Sequence, residues 1–142
     1  MPGFAALFLG GRNGSRSALR HIRVLSSWPI HMNNHRPTVA VPDEIRPLVE
    51  AIRHRFNPEA VWLFGSRARG DHRPDSDWDI VVALPDDCDP ELLDPIVGWT
   101  IKHDLGIAAT VLSMTGGALA RSWGEPNTMG YILARDGLLL DG

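Results

Sequence analysis

The sequence predicts an α/β (α+β) domain, a small mixed β-sheet of three to four strands covered by helices. Three observations predict it. Short apolar runs at Ala60 to Phe64, Asp79 to Leu84 and Ile107 to Leu112 have the length of buried strands and are bounded by turn residues. The segments between them repeat apolar residues at helical spacing. A chain of 142 residues, 44% hydrophobic and 22% charged, fits one core, because a second would need more chain.

The elements follow in order. Between Pro42 and Phe56, Ile45, Leu48, Val49 and Ile52 recur on one helical face, with Asp43 and Glu44 where carboxylates favour a helix N-terminus; the helix ends before Pro58. Ala60 to Phe64 is a short strand. Gly65-Ser66 then turns the chain into a short helix that Gly70 can terminate. His72 to Ser76 is a connecting loop, and Asp79 to Leu84 is a second strand whose unbroken apolar run requires cover on both faces. Pro90 to His103 reads as a helix with Leu92, Leu93, Ile96 and Val97 inward, weakened by Gly98. Ile107 to Leu112 is the third strand. Gly116-Gly117 and Pro126 bound a linker with room for a helical turn, Thr128 to Arg135 forms a short helix, and Leu138 to Leu140 is a final edge strand. No internal repeat is visible.

The first 31 residues are the least domain-like, since Gly10-Gly11, Gly14 and scattered Ser and Arg interrupt any apolar periodicity. Weak order is expected there, and residues 1–41 are set apart from a domain at 42–142 as a poorly ordered or non-native N-terminal extension. Phe4 to Leu9 is too short to span a bilayer. The Arg-rich, acid-free composition overlaps with organelle transit peptides, and an extension ahead of a start at Met32 explains it equally well. Arg16 to His21 fits an Arg-x4-His ribonuclease spacing, but with no second catalytic element it is read as coincidence.

Charge is unevenly placed. The net formal charge is −3, yet residues 1–42 hold Arg12, Arg16, Arg20, Arg23 and Arg36 and no acid, leaving 9 basic against 17 acidic residues and a balance of −8 beyond them. Such a surface repels a phosphate backbone over most of its area, which argues against an extensive nucleic-acid interface. Trp62, Trp78, Trp99 and Trp123 likewise form no contiguous basic-aromatic strip. Cys88, the sole cysteine, excludes an internal disulfide and a multi-cysteine zinc site. It is consistent with a reducing, cytoplasmic setting. Its acidic neighbours Asp86, Asp87 and Asp89 disfavour the thiolate, so it is read as inert.

Leu63 to Val82 carries the chemistry. A strand ending in Gly65-Ser66 and feeding a helix offers backbone N–H groups and a hydroxyl to phosphate oxygens, with Arg67 or Arg69 available to neutralise charge. Alone, a Gly-Ser turn is more readily structural. Asp77 and Asp79 differ by two positions, so in an extended chain they share one side of the strand, roughly 6.6 Å apart at Cα, while Trp78 faces the other way. At about 6 Å and an effective dielectric of about 20 they repel by roughly 3 kcal/mol, a conflict that a divalent cation removes. Mg²⁺ takes oxygen ligands and commonly uses one or two carboxylates plus substrate phosphates.

Leu63-Phe64-Gly65-Ser66-Arg67-Ala68-Arg69-Gly70 followed by Ser76-Asp77-Trp78-Asp79-Ile80 closely resembles the minimal nucleotidyltransferase (MNT) family of the DNA polymerase β-like nucleotidyltransferase superfamily. The resemblance extends to Phe56-Asn57-Pro58-Glu59 and, more loosely, to Arg135-Asp136-Gly137-Leu138. It implies a nucleotidyltransferase fold in which Gly65 and Ser66 contact the phosphates of ATP or another NTP and Asp77 and Asp79 hold Mg²⁺, with room for a two-metal site. It implies transfer of a nucleoside monophosphate, AMP by preference, to a protein or small-molecule hydroxyl. It also suggests an MNT antitoxin paired with a HEPN-domain partner, and a homodimer is the other assembly considered.

Active family members usually add a third carboxylate on a later strand. Here that strand reads Gly106 to Ser113 and has none; Gly106 or Thr110 falls at the expected position. Asp104 is the nearest acid, able to reach the site if the strand begins early and otherwise a helix-terminal or loop residue, which is the favoured reading. A protein lacking that carboxylate is alternatively a catalytically weak nucleotide-binding module that neutralises a partner by contact. His103 beside Asp104 and the run Asp86, Asp87, Asp89, Glu91 and Asp94 are read as structural or solvating.

Overall fold

The computed structural model describes residues 38–141. The N-terminal features from Phe4 to His21 and the alternative start at Met32 therefore lie outside the described residues. Five strands form one mixed sheet in the order β1-β5-β2-β3-β4: β1 (Thr38–Val39), β2 (Ala60–Phe64), β3 (Trp78–Leu84), β4 (Ala109–Thr115) and β5 (Leu138–Leu140). β2 runs antiparallel to both β3 and β5, while β3–β4 and β1–β5 are parallel.

Alternation along the central strands builds two cores. Val61, Leu63, Ile80, Val82 and Leu84 face one way, onto Leu48, Val49, Ile52 and Phe56 of helix α1 (Arg46–Phe56). Val97 and Ile101 of helix α3 (Pro95–Leu105) pack against the same core. Ala60, Trp62, Val81 and Ala83 face the other way, onto Leu119 of helix α4 (Gly116–Arg121) and Leu133 of helix α5 (Met129–Asp136). The apolar run of β3 is thus buried on both faces, which is why it does not alternate in polarity. Helix α2 (Gly65–Arg69) follows β2 directly and is closed by Gly70 at φ +82°, whose N–H donates to the Ser66 carbonyl at 2.9 Å.

Several expectations are corrected. The sheet has five strands because Thr38 and Val39 pair with Leu139 and Leu140. β5 is consequently interior to the sheet, and the ordered sheet begins upstream of residue 42. The first and third helices each open with a 3-10 turn, at Asp43–Ile45 and Pro90–Leu93. β4 starts at Ala109 and runs to Thr115 rather than spanning Ile107 to Leu112. Leu93 and Ile96 are not inward but 38% and 55% exposed, because the turn at Asp94 and the restart of the helix at Pro95 rotate them outward. The acidic run does structural work there: Asp89 accepts from the Glu91 N–H and Asp94 from the Ile96 N–H, each at 3.0 Å.

Gly98 sits in the middle of α3 for a packing reason. A Cβ there would lie 2.8 Å from Val111 Cγ1, so only glycine lets the helix approach β4 this closely. The predicted weakness in the helix is the point of helix–sheet contact.

Candidate active site

The register between β2 and β3 pairs Phe64 with Asp79, so the first residue after β2, Gly65, lands beside the Asp79 carboxylate. A Cβ on Gly65 would collide with Asp79 Oδ2, and Gly65 adopts φ +73°, a conformation that glycine alone takes without cost. Two independent features thus exclude a side chain at this position. Phe64 is extended, and the turn into α2 occurs at Gly65 itself.

On the other side of β3, parallel pairing sets Thr110 of β4 opposite Asp79. Asp79 is partly buried, and its carboxyl is held above the usual carboxylate range, first by loss of solvent and next by the negative charge of Asp77. The Thr110 hydroxyl and the Arg69 guanidinium act in the opposite direction, favouring the ionised form. Asp77 precedes the strand and is exposed. The expected pair is therefore brought together at the mouth of β3, with Trp78 turned to the α1–α3 face, where it packs against that core.

The two arginines part company. Arg69 bonds Asp71 through Nε at 3.1 Å and lies near enough to Asp79 to influence its ionisation. Arg67 is committed elsewhere. Its Nη2 donates to the carbonyls of Pro74 at 3.1 Å and Ser76 at 3.0 Å, and its guanidinium lies 4.3 Å from the Trp78 ring centroid. The expectation that Arg67 serves the phosphates meets a residue engaged with its own loop, since a planar fork whose Nε and Nη2 donate to carbonyls has fewer donors left for a ligand.

Asp104 lies in the last turn of α3, exposed, five positions before β4 begins. Among the described residues no group of three acids, histidines or cysteines is arranged to hold a metal. Thr110 is the residue of β4 that stands opposite Asp79. His103 stacks on Trp99 at 4.5 Å between ring centroids, a helix-surface contact. Cys88 has its thiol pushed up by burial and then by Asp87 and Asp89, in keeping with an inert side chain.

A cavity of about 280 Å³ lies at the opposite end of β3, lined by Glu59, Pro85, Asp86, Asp87, Gly116, Gly117 and Ala120. Its three carboxylates repel a triphosphate, so the Gly65–Asp79 end remains the candidate for phosphate chemistry. Sequence reasoning missed the Arg67–Trp78 stack. The signal available for it was the same alternation that turned Trp78 away from the aspartates.

A glycine turn is thus seated against one of two adjacent carboxylates where β2 ends and β3 begins, inside a mixed sheet. Residues 45–103 match the family model of the nucleotidyltransferase domain, and this segment contains α1, the Gly65-Ser66 turn, both aspartates and most of α3. The resemblance to nucleotidyltransferases seen in the motifs therefore holds for the segment that carries them. Among solved structures, a protein from Sulfolobus solfataricus provisionally described as a nucleotidyltransferase is similar over 89% of this chain and 86% of its own, with 20% identity and a TM-score of 0.47. No curated protein matches the chain. Among the described residues no helix is long and apolar enough to cross a membrane.

Proposed function

We propose that the domain built on this sheet is a Mg²⁺-dependent nucleotidyltransferase that moves a nucleoside monophosphate, AMP by preference, from an NTP to a hydroxyl on a protein or small molecule. The observation that carries this reading is the position of Asp79: desolvated, beside the charge of Asp77, and seated on the bare Cα of Gly65. Two carboxylates held at such a site conflict unless a cation joins them, and hard oxygen donors of this kind suit Mg²⁺. The residues present therefore fit the metal that nucleotidyl transfer requires.

In this reading Asp77 and Asp79 hold the cation, and the backbone of Gly65 with the Ser66 hydroxyl contacts phosphate oxygens. A bound divalent cation supplies Lewis-acid stabilisation of charge on the phosphoryl oxygens and the departing pyrophosphate. Arg69, close to Asp79, adds positive charge at the same edge. Gly65 keeps the turn close to the carboxylate, so that phosphate and cation sites share one small volume. The Thr110 hydroxyl favours the ionised form of Asp79, against the larger opposing effect of burial, without adding negative charge.

A second reading is favoured by one observation. The residue opposite Asp79 on β4 is the neutral Thr110, and Asp104 is an exposed residue in the last turn of α3. The protein would then be a catalytically weak nucleotide-binding module that neutralises a partner by direct contact. The family likeness alone supports pairing with a HEPN-domain protein in a toxin–antitoxin setting; a homodimer is the other assembly, and the sole cysteine fits a cytoplasmic location.

The test is label transfer. The protein is incubated with Mg²⁺, a candidate partner and ATP labelled at either the α- or the γ-phosphate. The proposal expects α-label, and not γ-label, on the acceptor, and none with Asp77→Asn plus Asp79→Asn. Partner binding that survives both substitutions, with no label transferred from any nucleotide, would favour the binding module.

A further inference from the structure

We infer that Arg67 is a positioning residue: it clamps the Pro74–Ser76 loop against Trp78 and so fixes the backbone that carries Asp77. The inference rests on the reading of Asp77 and Asp79 as cation ligands. Its structural basis is the convergence of three hydrogen bonds and one ring stack on one guanidinium. Nη2 donates to Pro74 O at 3.1 Å and to Ser76 O at 3.0 Å, Nε donates to Ser76 O at 3.3 Å, and the planar group covers the Trp78 ring at 4.3 Å.

The clamped segment has turn structure of its own. The Ser76 N–H donates to Arg73 O at 3.0 Å, and Ser76 Oγ accepts from the Arg73 N–H at 2.8 Å. On the far side of Asp77, the Trp78 N–H donates to Ala108 O at 3.0 Å and ties the start of β3 to the approach of β4. Asp77 therefore lies between a carbonyl gripped by Arg67 and an indole covered by Arg67. Its side chain is exposed, so its aim depends on the backbone at these two neighbours. The Arg67 contacts are all to the chain's own loop and ring, which distinguishes this role from charge neutralisation on a bound phosphate.

Arginine is suited to the task in a way lysine is not. A planar guanidinium can bond two carbonyls at its edge while its face lies on an aromatic ring, whereas a single ammonium cannot satisfy both geometries. The electrostatic consequence of removing Arg67 also has a definite sign. Deleting a positive charge near a divalent-cation site should tighten cation binding by Coulomb's law. Loss of a clamp that aims a ligand should weaken it, as removal of groups that orient metal ligands does. The two roles predict opposite changes.

The experiment measures Mn²⁺ binding without nucleotide, by electron paramagnetic resonance, in the full-length protein and in Arg67→Ala, Arg67→Lys and Asp77→Asn plus Asp79→Asn. Amide hydrogen exchange at Ser76 and Asp77 is followed in the metal-free proteins. The clamp predicts roughly 10-fold weaker Mn²⁺ binding in Arg67→Ala. It also predicts little recovery in Arg67→Lys and roughly 10-fold faster exchange at Ser76 and Asp77. Unchanged or tighter Mn²⁺ binding in Arg67→Ala, or full recovery by lysine, would overturn it. If wild type binds Mn²⁺ no better than the double aspartate variant, the cation-site reading fails by itself. Exchange at Ser76 and Asp77 then decides the clamp, with unchanged rates overturning it.

Discussion

Gly65 and Asp79 are mutually dependent: the Asp79 carboxylate occupies the space that any side chain on residue 65 would need. The register that pairs Phe64 with Asp79 creates this contact, and the positive φ of Gly65 preserves it. Gly65→Ala should therefore cost about 1–2 kcal/mol for the left-handed backbone alone. The new Cβ should also push Asp79 out of line. Equilibrium denaturation should show the stability loss, and Mn²⁺ binding should fall with it; a variant that loses stability but binds Mn²⁺ normally would separate the glycine from the site.

Asp79 gives a pH dependence of defined sign. Its folded-state pKa is raised, so the ionised carboxylate is less favourable in the folded protein than in the unfolded chain. The folded state then holds the proton more tightly, and metal-free stability falls as pH rises from the ordinary carboxylate range through the raised value. Asp79→Asn should consequently raise the metal-free melting temperature at pH 7, and the gain should vanish below about pH 4, where both states carry the proton. A gain independent of pH would contradict this origin.

Thr110 invites the reverse experiment. Because it lies opposite Asp79 in the β3–β4 ladder, Thr110→Asp places a third carboxylate beside the pair. Mn²⁺ affinity should rise roughly 10-fold through added ligand charge, while the metal-free protein becomes less stable from repulsion among the acids. Calorimetric titration and thermal melts check the two effects together. Unaltered metal affinity would show that residue 110 does not face the cation.

Gly98→Ala tests the closeness of α3 to the sheet. Helix propensity favours alanine by about 1 kcal/mol, yet the added methyl meets Val111 at 2.8 Å. Overpacking of this kind costs about 1–3 kcal/mol, so the net effect should be destabilising, and the double variant with Val111→Ala should recover part of the loss.

Much of this was legible in the sequence because it depends on local pattern. The strand at Ala60–Phe64, the turn at Gly65, the stop at Gly70 and the aspartate pair all follow from short-range signals. What escaped depends on contacts between distant segments. Thr38 and Val39 are two residues whose strand character exists only through pairing with Leu139 and Leu140, and that pairing also moves β5 from the edge to the interior. Leu93 and Ile96 match an apolar helical face, but the break at Asp94 changes their phase. The engagement of Arg67 with Trp78 requires the loop to fold back over α2, which residue spacing does not reveal. That Thr110 stands opposite Asp79 follows from the parallel β3–β4 register, which the sequence does not reveal.

The central claim, that Asp77 and Asp79 bind an NTP through a divalent cation, is tested most directly by thermal unfolding with ATP, with and without Mg²⁺, because no acceptor need be known. At 100 times the dissociation constant the complex should gain about 2.7 kcal/mol, which raises the melting temperature by several degrees. The account predicts this rise for wild type only when ATP and Mg²⁺ are both present, and its loss in Asp77→Asn plus Asp79→Asn. An equal rise in the double variant, or one that needs no metal, would contradict it.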